Sequence, residues 1–389
     1  VSQHALNSIL SRLRLPVIQA PMAGGVCTVE FVASVLREGL MGSFGFAYSK
    51  PEAISTELRA IRKQATGPVN ANFFVFQPVQ APSADALRQA ADALRPAVEA
   101  LITPADATRP LAGAQDLPAE SVDRPSEEGE LGDSAHLAFI KESVLGASTP
   151  EFYPSLHDQL EAVWPERPEV LSFHFGVPPH WVFERAHADQ IPVLISATKL
   201  EEALAIEASG ACAIIAQGPE AGGHRGCFDP KAPLDRDDAS STIELVRVLA
   251  RHCKLPVIAA GGIMNAEDIQ AALAQGAKAV QMGTAFLACH ESGASPEHKR
   301  LLTGEPGRGT VLTRAFSGRL ARGLRNEFTA MMQSRAVLDF PLQNSLTAGL
   351  RQQSARAANP EYQSLWAGSA YAKCRSESVS DLVLRLEQA

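Results

Sequence analysis

Short apolar runs alternate along the chain with longer amphipathic stretches, and this rhythm is the strongest signal in the sequence. Eight runs stand out: Pro16–Ala20, Leu40–Phe46, Pro68–Val75, Val170–His174, Pro192–Ala197, Cys212–Gln217, Pro256–Ala260 and Ala279–Met282. Half open on proline, and most close on glycine, histidine or a small polar residue. Between them a unit recurs in which a polar start with an early Glu leads an amphipathic helix into glycine and then a strand. It is seen at Thr28–Gly39, Lys199–Gly210 and Asn265–Gly276. An acceptor or acid at the start suits the exposed N–H groups of a helix, and the closing glycine accepts a left-handed cap. Helix, glycine and strand at this spacing predict parallel strands with right-handed crossovers, hence an α/β protein built as a (β/α)8 TIM barrel.

Two stretches break the rhythm. Between Gln77 and Pro168 the strand signal vanishes, and a helical piece at Ser83–Leu101 leads into Thr103–Asp133, rich in Pro, Gly, Ser and acids. So long a gap predicts an insertion after strand three, partly loop or disordered around Asp116–Asp133. It reads equally as an active-site lid and as a tolerated surface excursion. After Leu287 the pattern is helical and strand-free through about Tyr371, which predicts a smaller helical domain capping the barrel mouth. A final amphipathic run, Val379–Leu386, is expected to pack back on the barrel. The expected division is therefore a barrel at 1–77 and 151–288, an insertion at 78–150, a helical substrate or cap domain at 289–372, and a C-terminal helix at 373–389.

Composition narrows the class. With 389 residues, 46% hydrophobic and 20% charged, the chain can bury a large core and is too apolar to be disordered. A net charge of −8 without a long Lys/Arg run argues against nucleic acid and anionic membranes as partners and for a small-molecule ligand. No apolar stretch reaches the ~20 residues that cross a bilayer, and the N-terminus lacks a signal-peptide layout, so a soluble, cytoplasmic protein is expected. The six cysteines (27, 212, 227, 253, 289 and 374) show no C-x-x-C pair and no metal-ligand spacing with histidine. They read as reduced thiols, with no metal site. Cys212 and Cys253 adjoin predicted strands as packing. Cys27 follows a glycine-rich loop near a possible ligand but has no neighbouring cation or base in sequence, and it too is read as packing.

The catalytic groups of such a barrel sit just past the C-terminal ends of its strands. The suspects are therefore Pro21-Met22-Ala23-Gly24-Gly25, Asn72, His174, Gly222-Gly223-His224-Arg225-Gly226, Gly261-Gly262 and Gly283-Thr284. Gly-Gly and Gly-Thr at the ends of the last two strands, with Gly222-Gly223 on the preceding loop, suit a phosphate, because glycine lets backbone N–H groups approach its oxygens. Neither a Walker lysine motif nor G-x-G-x-x-G follows a strand, which disfavours a nucleoside triphosphate and a Rossmann-bound dinucleotide. Flavin mononucleotide fits: the Ala20–Gly24 loop offers backbone groups and an apolar wall to a flat ring, and Asn72 offers an amide. His174, at a strand's C-terminal end, points into the mouth as a catalytic histidine, against the alternative of a satisfied core residue. His224 either reaches a ligand from its glycine loop or only bonds backbone. Arg225 either neutralises a substrate anion or is solvated. The other histidines (4, 136, 157, 180, 187, 252, 290 and 298) read mostly as surface groups, and Ser317-Gly318-Arg319 and Asn344-Ser345 have no mechanism legible from spacing.

Taken together the loops resemble the nitronate monooxygenase family, formerly called 2-nitropropane dioxygenases, and its class I enzymes in particular. The resemblance rests on Pro16–Gly25, Val69–Phe74, Ser172–Gly176, Gln217–Gly226, Val257–Ile263, Val280–Phe286, Phe316–Arg319 and Leu365–Gly368. It spans nearly the whole chain except Gln77–Thr149. It implies a barrel with a helical substrate domain, noncovalent FMN, and oxidation of alkyl nitronates such as propionate 3-nitronate by oxygen to a carbonyl compound and nitrite. On that resemblance His174 is the active-site histidine facing substrate and His224 the second histidine beside the flavin. Met22, Asn72, Gln217, Gly222, Gly223, Gly262, Gly283 and Thr284 contact FMN, with Pro21, Ala23 and Gly261 beside them in the same loops. His174 would act either protonated, stabilising the anion, or neutral, as a base toward a nitroalkane. The alternative is a flavin-dependent NAD(P)H:quinone or enoyl-thioester reductase on the same barrel; a flavin-binding or sensing protein without turnover is a third reading.

Overall fold

The structure, a computed structural model, describes residues 2–78, 80–102, 154–233, 241–304 and 307–388. Eight parallel strands form its centre: β1 (Val17–Gln19), β2 (Gly42–Gly45), β3 (Val69–Phe74), β4 (Val170–His174), β5 (Val193–Ala197), β6 (Ala213–Gln217), β8 (Val257–Ala260) and β9 (Ala279–Met282). A two-residue strand outside the barrel, β7 (Gly223–His224), intervenes in the sequence. The sheet runs β2-β3-β4-β5-β6-β8-β9-β1, and a parallel bridge from Ile18 to Met41 joins its two ends into a nearly closed barrel. All eight barrel strands lie within the apolar runs that the sequence marks. Their burial on both faces is why those runs are continuous rather than alternating.

The helices form where the recurring unit predicts. Thr28 and Asn265 accept hydrogen bonds from the backbone N–H groups of Phe31 and Asp268, capping the helices Val29–Arg37 and Ala266–Ala274, whereas Lys199, before the middle unit's helix Leu200–Ser209, makes no side-chain cap. Gly39, Gly210 and Gly276, which close the three units, have φ of +74°, +97° and +106°, a region that L side chains rarely enter. The first helix, Ser2–Leu10, sets Leu6 and Ile9 against Ile18, Met41, Val170 and Leu194, near the strand starts. Each such side chain contributes about 1.5–3 kcal/mol of hydrophobic burial. This plug closes the bottom of the barrel and leaves the opposite end for a ligand.

The region beyond β9 departs from expectation. It is not strand-free: β10 (Thr310–Thr313) and β11 (Ala321–Leu324) pair antiparallel, and β11 pairs in turn with β7. Each of these strands is four residues long, and β11 pairs with residues almost a hundred positions earlier. Such a non-local pairing leaves no periodicity to read. Short helices follow at Glu327–Met331, Leu342–Leu346 and Ala348–Arg356. The predicted helix after strand three forms at Ala84–Ile102 and buries Ala90, Leu94 and Ala97 against Phe316, Phe328, Leu346 and Tyr362, a second core beside the barrel. The loop reading of Thr103–Asp133, and with it the lid reading, lies outside the described residues. The last helix, Val379–Glu387, buries Val379, Leu382, Val383 and Leu386 within the barrel's own core. Among the described residues no helix is long and apolar enough to cross a membrane.

Candidate active site

A cavity of about 550 Å³ opens at the C-terminal ends of the barrel strands. It is lined by all thirteen residues on which the sequence reading converges: Pro21, Met22, Ala23, Asn72, His174, Gln217, Gly222, Gly223, His224, Gly261, Gly262, Gly283 and Thr284. This is where such barrels place their ligands, and the volume is that of a small-molecule site.

β4 ends at His174, and the next residue, Phe175, adopts φ +76°, a costly conformation for an aromatic residue. This turn brings the Phe175 ring 4.7 Å from His174 and 4.4 Å from Phe74, centroid to centroid, with the Arg319 guanidinium 3.8 Å over its face. His174 Nε2 donates to the carbonyl of His224 at 3.1 Å, and Gln217 Nε2 donates to the same oxygen at 2.9 Å. Gln217 Oε1 accepts from Gly226 N at 2.7 Å, so one amide fixes both ends of the loop. A Cβ on Gly226 would lie 2.7 Å from His174 Cε1; the glycine is required by that close approach.

His224 is held by β7. It pairs with Ala321, and Arg225 N donates to Leu320 O at 2.8 Å, so the loop that looked free in sequence is an edge strand. The ring contacts Ser317 Oγ through Nε2 at 2.9 Å. The Ser317 hydroxyl donates to Arg319 O at 3.1 Å, so its oxygen accepts from His224, which therefore carries its proton on Nε2. Burial lowers His174 from 6.5 to about 4 and His224 to about 3, and the nearby Arg319 adds to both shifts. In the protein alone both rings are therefore neutral at neutral pH, which favours the reading in which a neutral His174 acts as a base.

Several expectations are corrected. Arg225 neither lines the cavity nor is solvated: it is buried, with Nη1 donating to the carbonyls of Gln217 and Gly218. His298 is not a surface group. It is buried on the cavity wall, and burial lowers its pKa to about 4. The glycine at 222 is demanded by protein packing as well as by any ligand, since a Cβ there would meet Ala367 and Gly368 at 2.6 Å. Cys253 is only half-buried. Cys27 is a packing residue: Met22 N donates to its sulfur at 3.2 Å, and burial pushes the thiol up to about 12. All six cysteines are free, and the described residues contain no cluster that could hold a metal.

The wall also contains Tyr48, Phe74, Asn344, Arg351 and Trp366, none of which the sequence reading assigned. Tyr48 lies just past β2 and Phe74 closes β3, so the strand-end rule that found Asn72 also reaches them. The others come from the region beyond β9, where no barrel rule applies.

The wall suits a flavin. Gly261 and Gly262 take φ of +123° and +70° at the end of β8, and Thr284 opens the short turn after β9, so backbone rather than side chain faces the ligand there. Two buried wall atoms, Gln281 Oε1 and His298 Nε2, have no hydrogen-bond partner in the protein. Such orphaned acceptors call for a ligand that carries donors, as a flavin's hydroxylated side chain and ring imide do.

A barrel with a cavity at its C-terminal mouth, lined by glycine turns and three neutral histidines, defines a (β/α)8 enzyme acting on a small molecule. The nitronate monooxygenase family model matches residues 7–388, and the chain belongs to that family, which makes it an oxidoreductase. It is 39% identical over 378 residues to nitronate monooxygenase of Paraburkholderia phytofirmans, covering 96% of this chain and 91% of that protein. It is 37% identical over 380 residues to nitronate monooxygenase of Pseudomonas aeruginosa, covering 96% and 95%. Among solved structures it is similar to nitroalkane oxidase from Streptomyces ansochromogenes, with a TM-score of 0.78 and 32% identity over 98% of this chain and 96% of the other. FabK from Thermotoga maritima shares the fold at a TM-score of 0.66 and 22% identity, covering 98% and 94%.

Proposed function

We propose that the protein holds FMN across the barrel mouth and oxidises alkyl nitronates, propionate 3-nitronate among them, with oxygen to a carbonyl compound and nitrite. The observation that carries this reading is the convergence, in a chain of the nitronate monooxygenase family, of the glycine turns and both histidines on one cavity. Pro21, Met22, Ala23, Asn72, Gln217, Gly222, Gly223, Gly261, Gly262, Gly283 and Thr284 would hold the flavin. When bound, it supplies the acceptor for the substrate's electrons and passes them to oxygen.

The protein's own part is positioning and proton management. Each histidine commits its Nε2 proton to a protein acceptor, the His224 carbonyl or Ser317 Oγ, and so keeps an unprotonated Nδ1. A neutral imidazole in that state takes the carbon proton of a nitroalkane; a substrate already in the nitronate form has no such proton to give, and against it the ring only packs. Phe74 and Trp366 make an apolar wall around the pair and exclude water from the reacting carbon.

The test is aerobic turnover by the flavin-loaded protein with propionate 3-nitronate and, separately, with NADH and a quinone. Nitrite release with the nitronate, and no quinone reduction, is the expected outcome. NADH-dependent quinone reduction without nitrite would replace this reading with the reductase one.

A further inference from the structure

A nitronate is an anion, and a cavity that holds it needs a positive charge at hand. The wall has five side chains able to carry charge, Tyr48, His174, His224, His298 and Arg351, and no Asp, Glu or Lys among its described residues. The three histidines are neutral at neutral pH, and the Tyr48 phenol, whose pKa lies no lower than its ordinary value near 10, is neutral as well. Arg351 is therefore the one permanent charge on the described wall.

Its bonding singles it out further. Nη2 donates to the main-chain and side-chain oxygens of Asn344 at 2.8 and 3.0 Å, and Nε donates to Thr347 Oγ1 at 3.3 Å. The Thr347 hydroxyl is itself fixed, donating to Phe316 O at 2.6 Å. Every one of these acceptors is neutral. No carboxylate pairs with the guanidinium among the described residues, and its Nη1 makes no hydrogen bond there. A half-buried cation with neutral partners alone carries an unrecovered desolvation cost, which an anion in the cavity would offset. The two other cations near the histidines cannot serve. Arg319 lies over Phe175 and donates to Cys227 O, Arg225 is tied to Gln217 and Gly218, and neither reaches the wall.

We propose that Arg351 is the specificity-determining cation of this cavity: it pairs with the negative charge of the bound nitronate and so selects the anionic nitronate over the neutral nitroalkane of the same skeleton. The proposal rests on the nitronate reading. The bonds from Asn344 and Thr347 pre-set the guanidinium, so little side-chain freedom is lost on binding.

The test uses the flavin-loaded protein with Arg351→Gln and Arg351→Lys, and two readouts. Nitrate, a planar anion shaped like the nitronate head, is titrated against the absorbance of the bound flavin, and KM is measured for ethyl nitronate and for nitroethane. In Arg351→Gln the nitrate Kd and the ethyl nitronate KM should rise about tenfold or more, with nitroethane unchanged and Arg351→Lys recovering part of the loss. An equal loss for the neutral and anionic ligands would show a structural role and overturn the proposal, as would no loss for either. If the wild-type protein releases no nitrite from nitronates, the functional reading fails, and the nitrate titration still reports whether Arg351 binds an anion.

Discussion

The cavity has two unlike halves. The barrel half, from Ala20, Asn72, Gln217, Gly261 and Gly283, is small, neutral and mostly backbone. The half from beyond β9, with Asn344, Arg351 and Trp366, is bulky and carries the charge. On the proposed function the first is a cofactor cradle and the second a substrate wall. The loop Gly222–Gly226 joins them, since it belongs to the barrel by sequence and to the outer sheet by pairing. The contrast teaches that barrel loops held close by glycine can keep one cofactor while the opposite wall changes its selectivity.

The largest effect should come from the histidine on the joint. His224→Ala, with flavin content retained, is expected to lower kcat/KM for nitroethane roughly 10²–10⁴-fold and for ethyl nitronate much less, because only the nitroalkane must lose a carbon proton. Steady-state rates on both substrates decide it; an equal fall would assign His224 to orientation alone. Next is Gly226→Ala. The new methyl displaces the His174 ring, and a shift of that kind costs about 10² in rate. Wild-type turnover with a bound-state spectrum unchanged would show that the close approach is dispensable. Ser317→Ala removes the acceptor that fixes the His224 proton and should cost about tenfold. That loss should fall on nitroethane turnover, with thermal stability nearly kept; loss of stability alone would make Ser317 a packing residue.

The smallest effect is on stability against pH. His174 and His298 titrate at about 4 and His224 at about 3 in the folded protein, against 6.5 when exposed. The unfolded chain therefore takes up protons at higher pH than the native one. Stability contributed by these buried neutral rings is fully present above about 6.5 and is lost as pH falls through about 4. The melting temperature should decline across that window, and His298→Gln should flatten the decline. A melting temperature that holds level to pH about 4 would mean that the rings are more solvated than they stand here.

How much of this was legible follows the same division. The barrel strands and Asn72, His174, Gly262 and Thr284 are local features, an apolar run and the residue that closes it, and one rule about strand ends reaches them all. Tyr48 and Phe74 obey that rule and were overlooked. Arg351 obeys none. Its helix, Ala348–Arg356, is mostly polar and buries only Leu350 and Ser354, and its place on the wall depends on Asn344 and Thr347 holding it, a contact set by tertiary packing. His298 read as a surface group because nothing in Ser295-Pro-Glu-His298 says which face of the helix turns inward. β10 and β11 escaped because each is only four residues long, and the non-local pairing of β11 with β7 left no trace in sequence, so the reason His224 is fixed rather than free went with them.

The central claim is that a flavin in this cavity takes electrons from a nitronate. It is tested most directly by anaerobic titration of the purified protein with propionate 3-nitronate while the visible spectrum is recorded. Loss of the oxidised flavin bands on nitronate addition, and their return with nitrite when oxygen is admitted, is the predicted result. A flavin spectrum that ignores the nitronate but bleaches with NADH would contradict the account.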